Sequence, residues 1–455
     1  MRRRGKAINM YLYNTLSRKK ELFKPVNNNK VALYTCGPTV YDFSHIGNLR
    51  TFIFEDVLKR TLDFNGYSVR HIMNLTDVDD KTIKKSLEQK EPLNVFTGRY
   101  TKSFKEDIKE LNIIFPKKFA PATLYIKEMV KIIKKLEKEG IAYEKDGSFY
   151  FKIKKFKNYG RLSGLENREL KTGATVDVDE YDKENPADFV LWKAWTEKDG
   201  PVFWKNELGK GRPGWHIECS AIANKLLGPT IDIHAGAVDL IFPHHENEIA
   251  QSEAVTGKKF VKFWVHGEHL LVDGQKMSKS LKNFYTLNDI KKKGFLALAF
   301  RYFCLQAHYR SKLNFTWEAL DGAGNALKKI WAEARQLPKP KGGCGKYEKE
   351  FSESISDDLN TPEALASLWE MLKSDCPAEA KSASLLKFDK VLGLDIKKYL
   401  NKKIKIPKEI LELARKREDA RKNKNWKEAD RLRKRIGELG FEIEDTKNGP
   451  KFIAN

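Results

Sequence analysis

The sequence predicts an α/β chain built on a parallel sheet, interrupted by an inserted segment and followed by helices and a small α+β end. Three observations predict it. Residues 31–50, VALYTCGPTVYDFSHIGNLR, read as a short apolar strand (31–35), a turn marked by Gly37 and Pro38, and a helix opening near His45. Strand and helix patterns alternate to about residue 120, as βαβ units do. A polar, irregular stretch at 162–199 then intervenes before the alternation resumes at Thr230.

Taken in order, 52–65 is a helix with apolar residues at Ile53, Val57, Leu58 and Leu62. Residues 69–75 form the next strand, so Cys36 and Thr76 both fall just past strand ends, where open parallel sheets bind ligands. Residues 125–139 form a Lys-rich amphipathic helix, and 147–153 alternate like an edge strand. The sheet resumes with a strand at 230–234, a helix at 243–255 and a strand at 261–265. Residues 270–275 carry an Asp273-Gly274 turn signal, and 287–308 are helical. Residues 337–348, LPKPKGGCGKYE, have linker composition. Beyond them lie an amphipathic helix at 359–373 with Pro362 near its start, a charged helix or hairpin at 406–440, and a β-like tail at 441–453.

At 455 residues, two to four domains are expected. Lys and Arg number 85 against 62 Asp and Glu, an excess of 23 that favours a polyanionic partner such as RNA, or else reflects a solvated basic surface. The basic start MRRRGK is not followed by a signal-length apolar run, and no stretch approaches the ~20 apolar residues of a membrane span. The five cysteines are scattered, so no disulfide framework is expected and a reducing cytoplasm is. Cys304, Cys344 and Cys376 read as structural or incidental, with Cys344 exposed in its linker.

Two residue groups carry chemistry. A strand, Gly-containing turn and helix point backbone N–H groups and a helix dipole at a phosphate, and His45 and Asn48 share a face at that helix start. His244 and Glu248 are four apart on a predicted helix, while Cys36 and Cys219 lie near strand ends. Two thiols, an imidazole and a carboxylate suit tetrahedral zinc, although there is no CxxC and a buried Cys is commonly a small hydrophobe. His245 and Glu246 read as packing or supporting groups.

CGPTVY (36–41), HIGN (45–48) and KMSKS (276–280) together resemble the signature motifs of class I aminoacyl-tRNA synthetases. NLTDVDDK (74–81), GWHIECSA (214–221) and FPHHENEIAQ (242–251) narrow the resemblance to the cysteinyl-tRNA synthetase family, nearly end to end. The resemblance implies a Rossmann-type catalytic domain in two halves (1–122 and 206–265) around a connective peptide (123–205). It also implies a KMSKS and stem-contact region (266–325), a helical bundle (326–398) and an anticodon-binding end (399–455). It further implies ATP-dependent activation of L-cysteine and transfer to the terminal adenosine of tRNA(Cys), by a cytoplasmic monomer that binds no membrane.

The family pattern assigns His45, Asn48, Lys276 and Lys279 to catalysis, and His45, Gly47, Asn48, Asp239 and Lys279 to ATP, with Mg2+ accompanying the nucleotide. Cys36, Cys219, His244 and Glu248 would hold one Zn2+ that meets the substrate thiolate. Thr76, Trp215 and His234 match the amino-acid pocket, and Trp426 and Asp430 the tRNA-binding end. This chain departs from the family by carrying Asn48 where HIGH has its second His, and Ala235 and Ala237 in a segment usually richer in glycine. Two rival readings follow from the same motifs: a ligase that passes cysteine to a small amine, and a silent tRNA-binding paralogue.

Overall fold

A computed structural model describes residues 9–165, 188–277, 281, 283–402, 406–446 and 449–454. The N-terminal MRRRGK and Lys279 lie outside the described residues, as does most of the 162–199 stretch.

The centre is a five-stranded parallel sheet in the order β12-β11-β3-β4-β5. Its strands are β3 (Lys30–Thr35), β4 (Ser68–Leu75), β5 (Lys118–Pro121), β11 (Ile231–Ala237) and β12 (Val261–Gly267). The chain leaves β3 in opposite directions to reach β4 and β11, so the sheet reverses its winding between β3 and β11, where such sheets open a crevice. The two faces follow the two-residue period of a strand: Leu33 enters one core and Tyr34 the other. Helices α1 (Ile46–Phe64) and α3 (Leu93–Glu110) cover the first face, and the short α2 (Asp80–Glu88) precedes α3. The second face is covered by α4 (Ile126–Lys138), α5 (Trp215–Leu227) and α6 (Glu246–Thr256). Near the N-terminus, β1 (Tyr11–Asn14) and β2 (Lys19–Leu22) form a hairpin beside β12.

The insertion departs from the sequence reading. It is a second five-stranded sheet, β6-β7-β8-β10-β9, made of Ala142–Lys145, Ser148–Phe151, Phe189–Ala194, Gly209–Pro213 and Trp204–Asn206 in that order. β7 is an interior strand with all four residues buried, not an edge. β8, Phe189–Ala194, is a buried strand within the stretch read as irregular, because five of its six side chains lie in the core. Asp80 at the start of α2 clamps this sheet to the catalytic domain through Lys193 Nζ (2.7 Å) on β8 and Arg212 on β10.

After β12 come β13 (Leu270–Val272) and β14 (Gln275–Lys276), with β15 (Leu313–Phe315) parallel to β13. The single helix expected at 287–308 is two, α7 (Leu287–Lys292) and α8 (Ala297–Leu305), divided at Gly294, which sits at φ +86°. The bundle consists of α9 (Trp317–Gln336), α10 (Gly345–Ser356), α11 (Thr361–Lys373) and α12 (Ala378–Leu392). Its core is continuous with that under α1. Asp56 of α1 joins the parts: fully buried, it accepts from Arg60 (2.7 Å) and from Arg301 of α8 (2.6 Å), whose guanidinium also reaches Leu392 O at the end of α12 (2.7 Å).

The expected exposed Cys344 is instead buried and disulfide-bonded to Cys376. The 337–348 segment folds back onto the α11–α12 connection and brings together Cα atoms 32 positions apart to 6.2 Å, a proximity that spacing alone cannot reveal. The C-terminal end is a helical hairpin, α13 (Lys408–Lys422) and α14 (Trp426–Glu438), followed by the β16 (Phe441–Thr446) and β17 (Gly449–Ala454) hairpin. Asp445 is held by Arg417 at 2.7 and 2.9 Å. Among the described residues, no helix is long and apolar enough to cross a membrane.

Candidate active site and metal centre

The cleft lies at the carboxyl ends of β3 and β11 and has a volume of ≈ 440 Å³. Cys36, His45, Gly47, Asn48, Trp215, Asp239 and Lys276 all line it. Each arrives for a local reason. Cys36 is the first residue past β3, and its side chain turns into the second core. The next residue must be glycine, because a Cβ on Gly37 would stand 1.8 Å from the Asn74 carbonyl oxygen. Gly37 N–H donates to Asn74 Oδ1 (2.9 Å), Val40 N–H to Thr76 O (3.1 Å) and Thr76 N–H to Pro38 O (3.2 Å), which pins the 36–45 loop to the end of β4.

That loop delivers His45 as the N-cap of α1. His45 Nδ1 accepts from Asn48 N–H (3.2 Å), and Asn48 Oδ1 accepts from His45 N–H (3.3 Å), a reciprocal capping box. Phe284 packs edge-on against the His45 ring at 4.8 Å. Gly47 leaves room for Met277, whose Cε would stand 2.4 Å from a Cβ there and would have to swing aside. The Asn48 side chain is exposed to the cleft at the positive end of a 19-residue helix. Lys276, on β14, faces the same cleft, and Asp239 follows β11 on its rim.

Beneath the cleft is a fully buried cluster. The ligand atoms of Cys36, Cys219, His244 and Glu248 lie within 4.8 Å of one another. Cys36 Sγ and Cys219 Sγ are 3.9 Å apart, and His244 Nε2 and Glu248 Oε1 3.1 Å. Two sulfurs ~2.3 Å from a tetrahedral ion would be separated by ~3.8 Å, so the four donors fit zinc in kind and spacing. His244 and Glu248 are four apart as expected, but they do not share one regular helix. Pro243 forces Phe242 into extended backbone (φ −134°, ψ 132°), and His244 sits in the irregular turn before α6.

The surroundings favour the charged form of Cys219 and Glu248, while Cys36 and His244 each keep a proton that a bound metal would displace. Burial alone would push the Cys219 thiol up, but the hydrogen bond with Cys36 and the neighbouring His244 bring it down to about 6. Burial and the same hydrogen bond push Cys36 the other way, so the pair shares one proton. Burial would lower His244, but Cys219 and Glu248 hold it up at about 10. Burial opposes ionisation of Glu248, yet His234 and His244 hold it below the usual carboxylate range.

His245 and His234 stand against this cluster. His245 Nε2 is 3.5 Å from Cys36 Sγ, and His234 Nε2 is 3.0 Å from Glu248 Oε2. With Cys36 and Glu248 they make a second four-donor set. The set with two thiols is the better match to zinc, and in it these imidazoles support the ligands. His245 Nδ1 meets His266 Nε2 (2.8 Å), whose Nδ1 meets Thr15 Oγ1 (2.7 Å). Burial holds His245 well below its ordinary value and His266 at about 3, so both rings are neutral. The reading of His245 from sequence omitted this chain of contacts, because nothing local to His245 points to Thr15 or His266. Glu246 turns away and accepts from Leu162 and Ser163 N–H groups, each at 3.0 Å.

Of the residues assigned to the amino-acid pocket, only Trp215 lines the cleft, its ring 4.3 Å from that of His244. Thr76 is buried behind the cleft and donates to Glu218 Oε2 (2.8 Å). His234 is fully buried behind Glu248 and stacks on Trp264 at 4.6 Å. Trp426, 59% exposed, opens α14, with exposed Asp430 one turn later on the same face.

Comparison with known proteins places this geometry. Residues 22–325 match the family described as tRNA synthetases class I (C) catalytic domain. Residues 350–374 match the DALR domain, and 405–450 the cysteinyl-tRNA ligase anticodon binding domain. The chain is 48% identical over 465 residues to the cysteine–tRNA ligase of Chlamydia abortus, covering 97% of each chain. It is 50% identical to that of Chlamydia felis, with the same coverage. Among solved structures, Mycobacterium tuberculosis methionyl-tRNA synthetase in complex with methionyl-adenylate shares the fold: TM-score 0.56, 14% identity, 80% of this chain and 90% of that one. With its catalytic domain, bundle and C-terminal hairpin all accounted for by one family and its relatives, the chain belongs to the cysteine–tRNA ligases of the class I aminoacyl-tRNA synthetases.

Proposed function

We propose that the chain joins L-cysteine to tRNA(Cys) in two steps at this cleft: cysteine and ATP give cysteinyl-adenylate and pyrophosphate, and the cysteinyl group then passes to the terminal ribose. One observation carries the reading. A buried cluster of two thiols, an imidazole and a carboxylate opens, through Cys36, into the same cleft as the His45–Asn48 helix start and Lys276.

Cys36, Cys219, His244 and Glu248 would hold zinc, which supplies a soft, cationic partner for the substrate thiol. Cysteine and serine differ by one atom, and pocket shape alone separates such near-isosteres by only ~100-fold, whereas a metal-capable thiolate site separates S from O chemically. Activation needs no general base, since the substrate carboxylate is itself the nucleophile. His45 and Asn48 orient the ATP phosphates and meet charge developing at the α-phosphate, while Lys276 and Lys279 offset charge on the departing pyrophosphate. Gly47 lets backbone approach the nucleotide closely, and Asp239 reaches its ribose. Mg2+ accompanies ATP. Trp215 closes the amino-acid side, and Thr76 and His234 hold that wall from behind. Trp426 and Asp430 face the anticodon from the C-terminal hairpin, a basic, aromatic-bearing surface suited to splayed bases. The protein acts as a cytoplasmic monomer, with the domain order given above and the insertion carried on to Pro213, where β10 ends.

The test is cysteine-dependent exchange of pyrophosphate into ATP, with serine as control and metal content measured on the same sample. Exchange with cysteine, little with serine and about one zinc per chain are expected. No exchange from folded, zinc-loaded protein would overturn the proposal.

A further inference from the structure

The residues proposed to meet ATP sit on two separate pieces of structure. His45 and Asn48 open α1, while Lys276 rides on β14, which pairs with β13 in the three-stranded sheet. Glu268 and His269 are the whole link between β12 of the central sheet and β13. The two walls of the cleft keep their spacing only if that link is held against α1.

One side chain holds it. Arg50, only 4% exposed, lies on α1 two residues past Asn48, which turns it about 200° around the helix and away from the cleft. Its Nη1 donates to Glu268 O (2.9 Å) and to His269 O (2.5 Å). Its Nη2 donates to Ser311 O and to His308 O (3.5 Å), in the turn that leads into β15. All four acceptors are backbone carbonyls on two segments that also bond each other, Glu268 N–H to Tyr309 O (2.8 Å) and Leu313 N–H to His269 O (3.3 Å). Glu268, His269 and Leu270 line the cleft on their other side. Beyond Lys276 the chain returns to the start of α1, where Ile46 N–H donates to Tyr285 O (2.8 Å). The segment bearing Lys276 is thus tied to α1 before and after it, by Arg50 and by this backbone bond. A planar fork suits four carbonyls on two turns, whereas an ammonium offers three donors from one point.

We propose that Arg50 is a positioning residue for the activation step: it holds the 268–269 link and the 308–311 turn to α1, and so sets the span between the His45–Asn48 helix start and Lys276. It touches no substrate and acts through the segment that carries Lys276. This rests on the ligase reading above, and the experiment keeps the two apart.

Cysteine-dependent pyrophosphate exchange is measured on the unsubstituted protein, Arg50→Lys, Arg50→Gln, Lys276→Ala and both double variants, each below its own melting midpoint, with ATP and cysteine varied separately. Arg50→Lys and Arg50→Gln should each lower kcat at least about tenfold, because small misplacements far from the chemistry are costly. The KM for cysteine should stay within about twofold, since the thiol-reading cluster is not built on these two turns. In the Lys276→Ala background the same Arg50 substitutions should cost at least about threefold less than they do alone, because the group they misplace is already gone. Losses that multiply in full would overturn the proposal by making Arg50 independent of Lys276. Unchanged kcat, a KM for cysteine that rises in step with the loss, or failure of both Arg50 variants to fold would also overturn it, the last by making Arg50 a folding residue. An unsubstituted chain without exchange would remove the ligase reading, and this inference with it.

Discussion

Asn48 offers a test in which structural and chemical roles point in different directions. Its side chain does two things: Oδ1 accepts from His45 N–H at 3.3 Å, and the amide faces the cleft where the ATP phosphates are proposed to lie. Asn48→Ala removes only half of the capping box. The other half, His45 Nδ1 accepting from the backbone N–H of residue 48, does not need the side chain. The surviving cap and the exposed position put the stability loss below about 1 kcal/mol. Loss of one donor aimed at developing charge costs at least about 100-fold in rate, or about 2.7 kcal/mol, so the kinetic effect should exceed the stability effect several-fold. Asn48→His restores a donor and should stay within about tenfold of the unsubstituted chain. Asn48→Asp is the sharper probe. It keeps the acceptor for His45 N–H and places negative charge at a helix start, so it should fold at least as stably. It also sets a carboxylate against phosphate, so exchange should fall below that of the alanine variant. Thermal melts and cysteine-dependent exchange on the four proteins decide the matter. Near-normal exchange by Asn48→Asp, or rate losses that merely track melting temperature, would refute the assignment and leave Asn48 a capping residue.

Two other predictions follow from groups whose surroundings are unusual. Cys219→Ala should lower bound zinc and reduce cysteine-dependent exchange at least about 100-fold while leaving ATP binding in place; unchanged exchange after verified metal loss would refute the proposed centre. Asp107, on α3, is pushed up to about 7 by burial and by its neighbours Glu110 and Glu106, against the opposing pull of Lys291. Its folded state therefore holds a proton that the unfolded chain releases near pH 4, and the stability this contributes is lost as pH rises through about 7. Asp107→Asn should accordingly gain melting temperature over the unsubstituted chain at pH 8 and much less at pH 5; a difference independent of pH would refute the shift.

The parts of the fold legible in the sequence are those where local pattern and tertiary role agree. The apolar run before Cys36, the Gly-Pro turn and the helix start form a unit whose geometry is set within twenty residues; at the C-terminal end the charged periodic run and the β-like tail mark helix and strand, but not that the run is the observed pair of helices. Expectation and structure part where long-range packing decides. Phe189–Ala194 follows a long polar tract but is a buried strand, because β7 and β10 pair with it on either side. Gly294 breaks a pattern that apolar spacing would carry through. The Cys344–Cys376 bond joins two segments that each resemble loop. The four-donor cluster spans Cys36 to Glu248, so residue types alone leave it open; only the family resemblance singles it out, and the observed 3.9 and 3.1 Å separations now argue for it on geometry.

The order of residues along one loop also bears on how selection and activation can stay in step. Cys36, proposed to take part in recognising the substrate thiol, and His45, proposed to contact ATP, are nine positions apart on a segment pinned to the end of β4 by Gly37, Val40 and Thr76. A loop fixed at both ends and in its middle cannot let these two residues move independently. The distance between the site that reads sulfur and the site that holds the α-phosphate is then set by backbone rather than by flexible side chains. A substrate seated through its thiol has its carboxylate carried toward the phosphate by the same contact that selected it. A serine that enters without that anchor gains no such placement. On this argument, discrimination against serine belongs to the activation step itself, and should appear as a difference in kcat as well as in KM, because the contact that distinguishes the two amino acids is also the one that aligns the nucleophile.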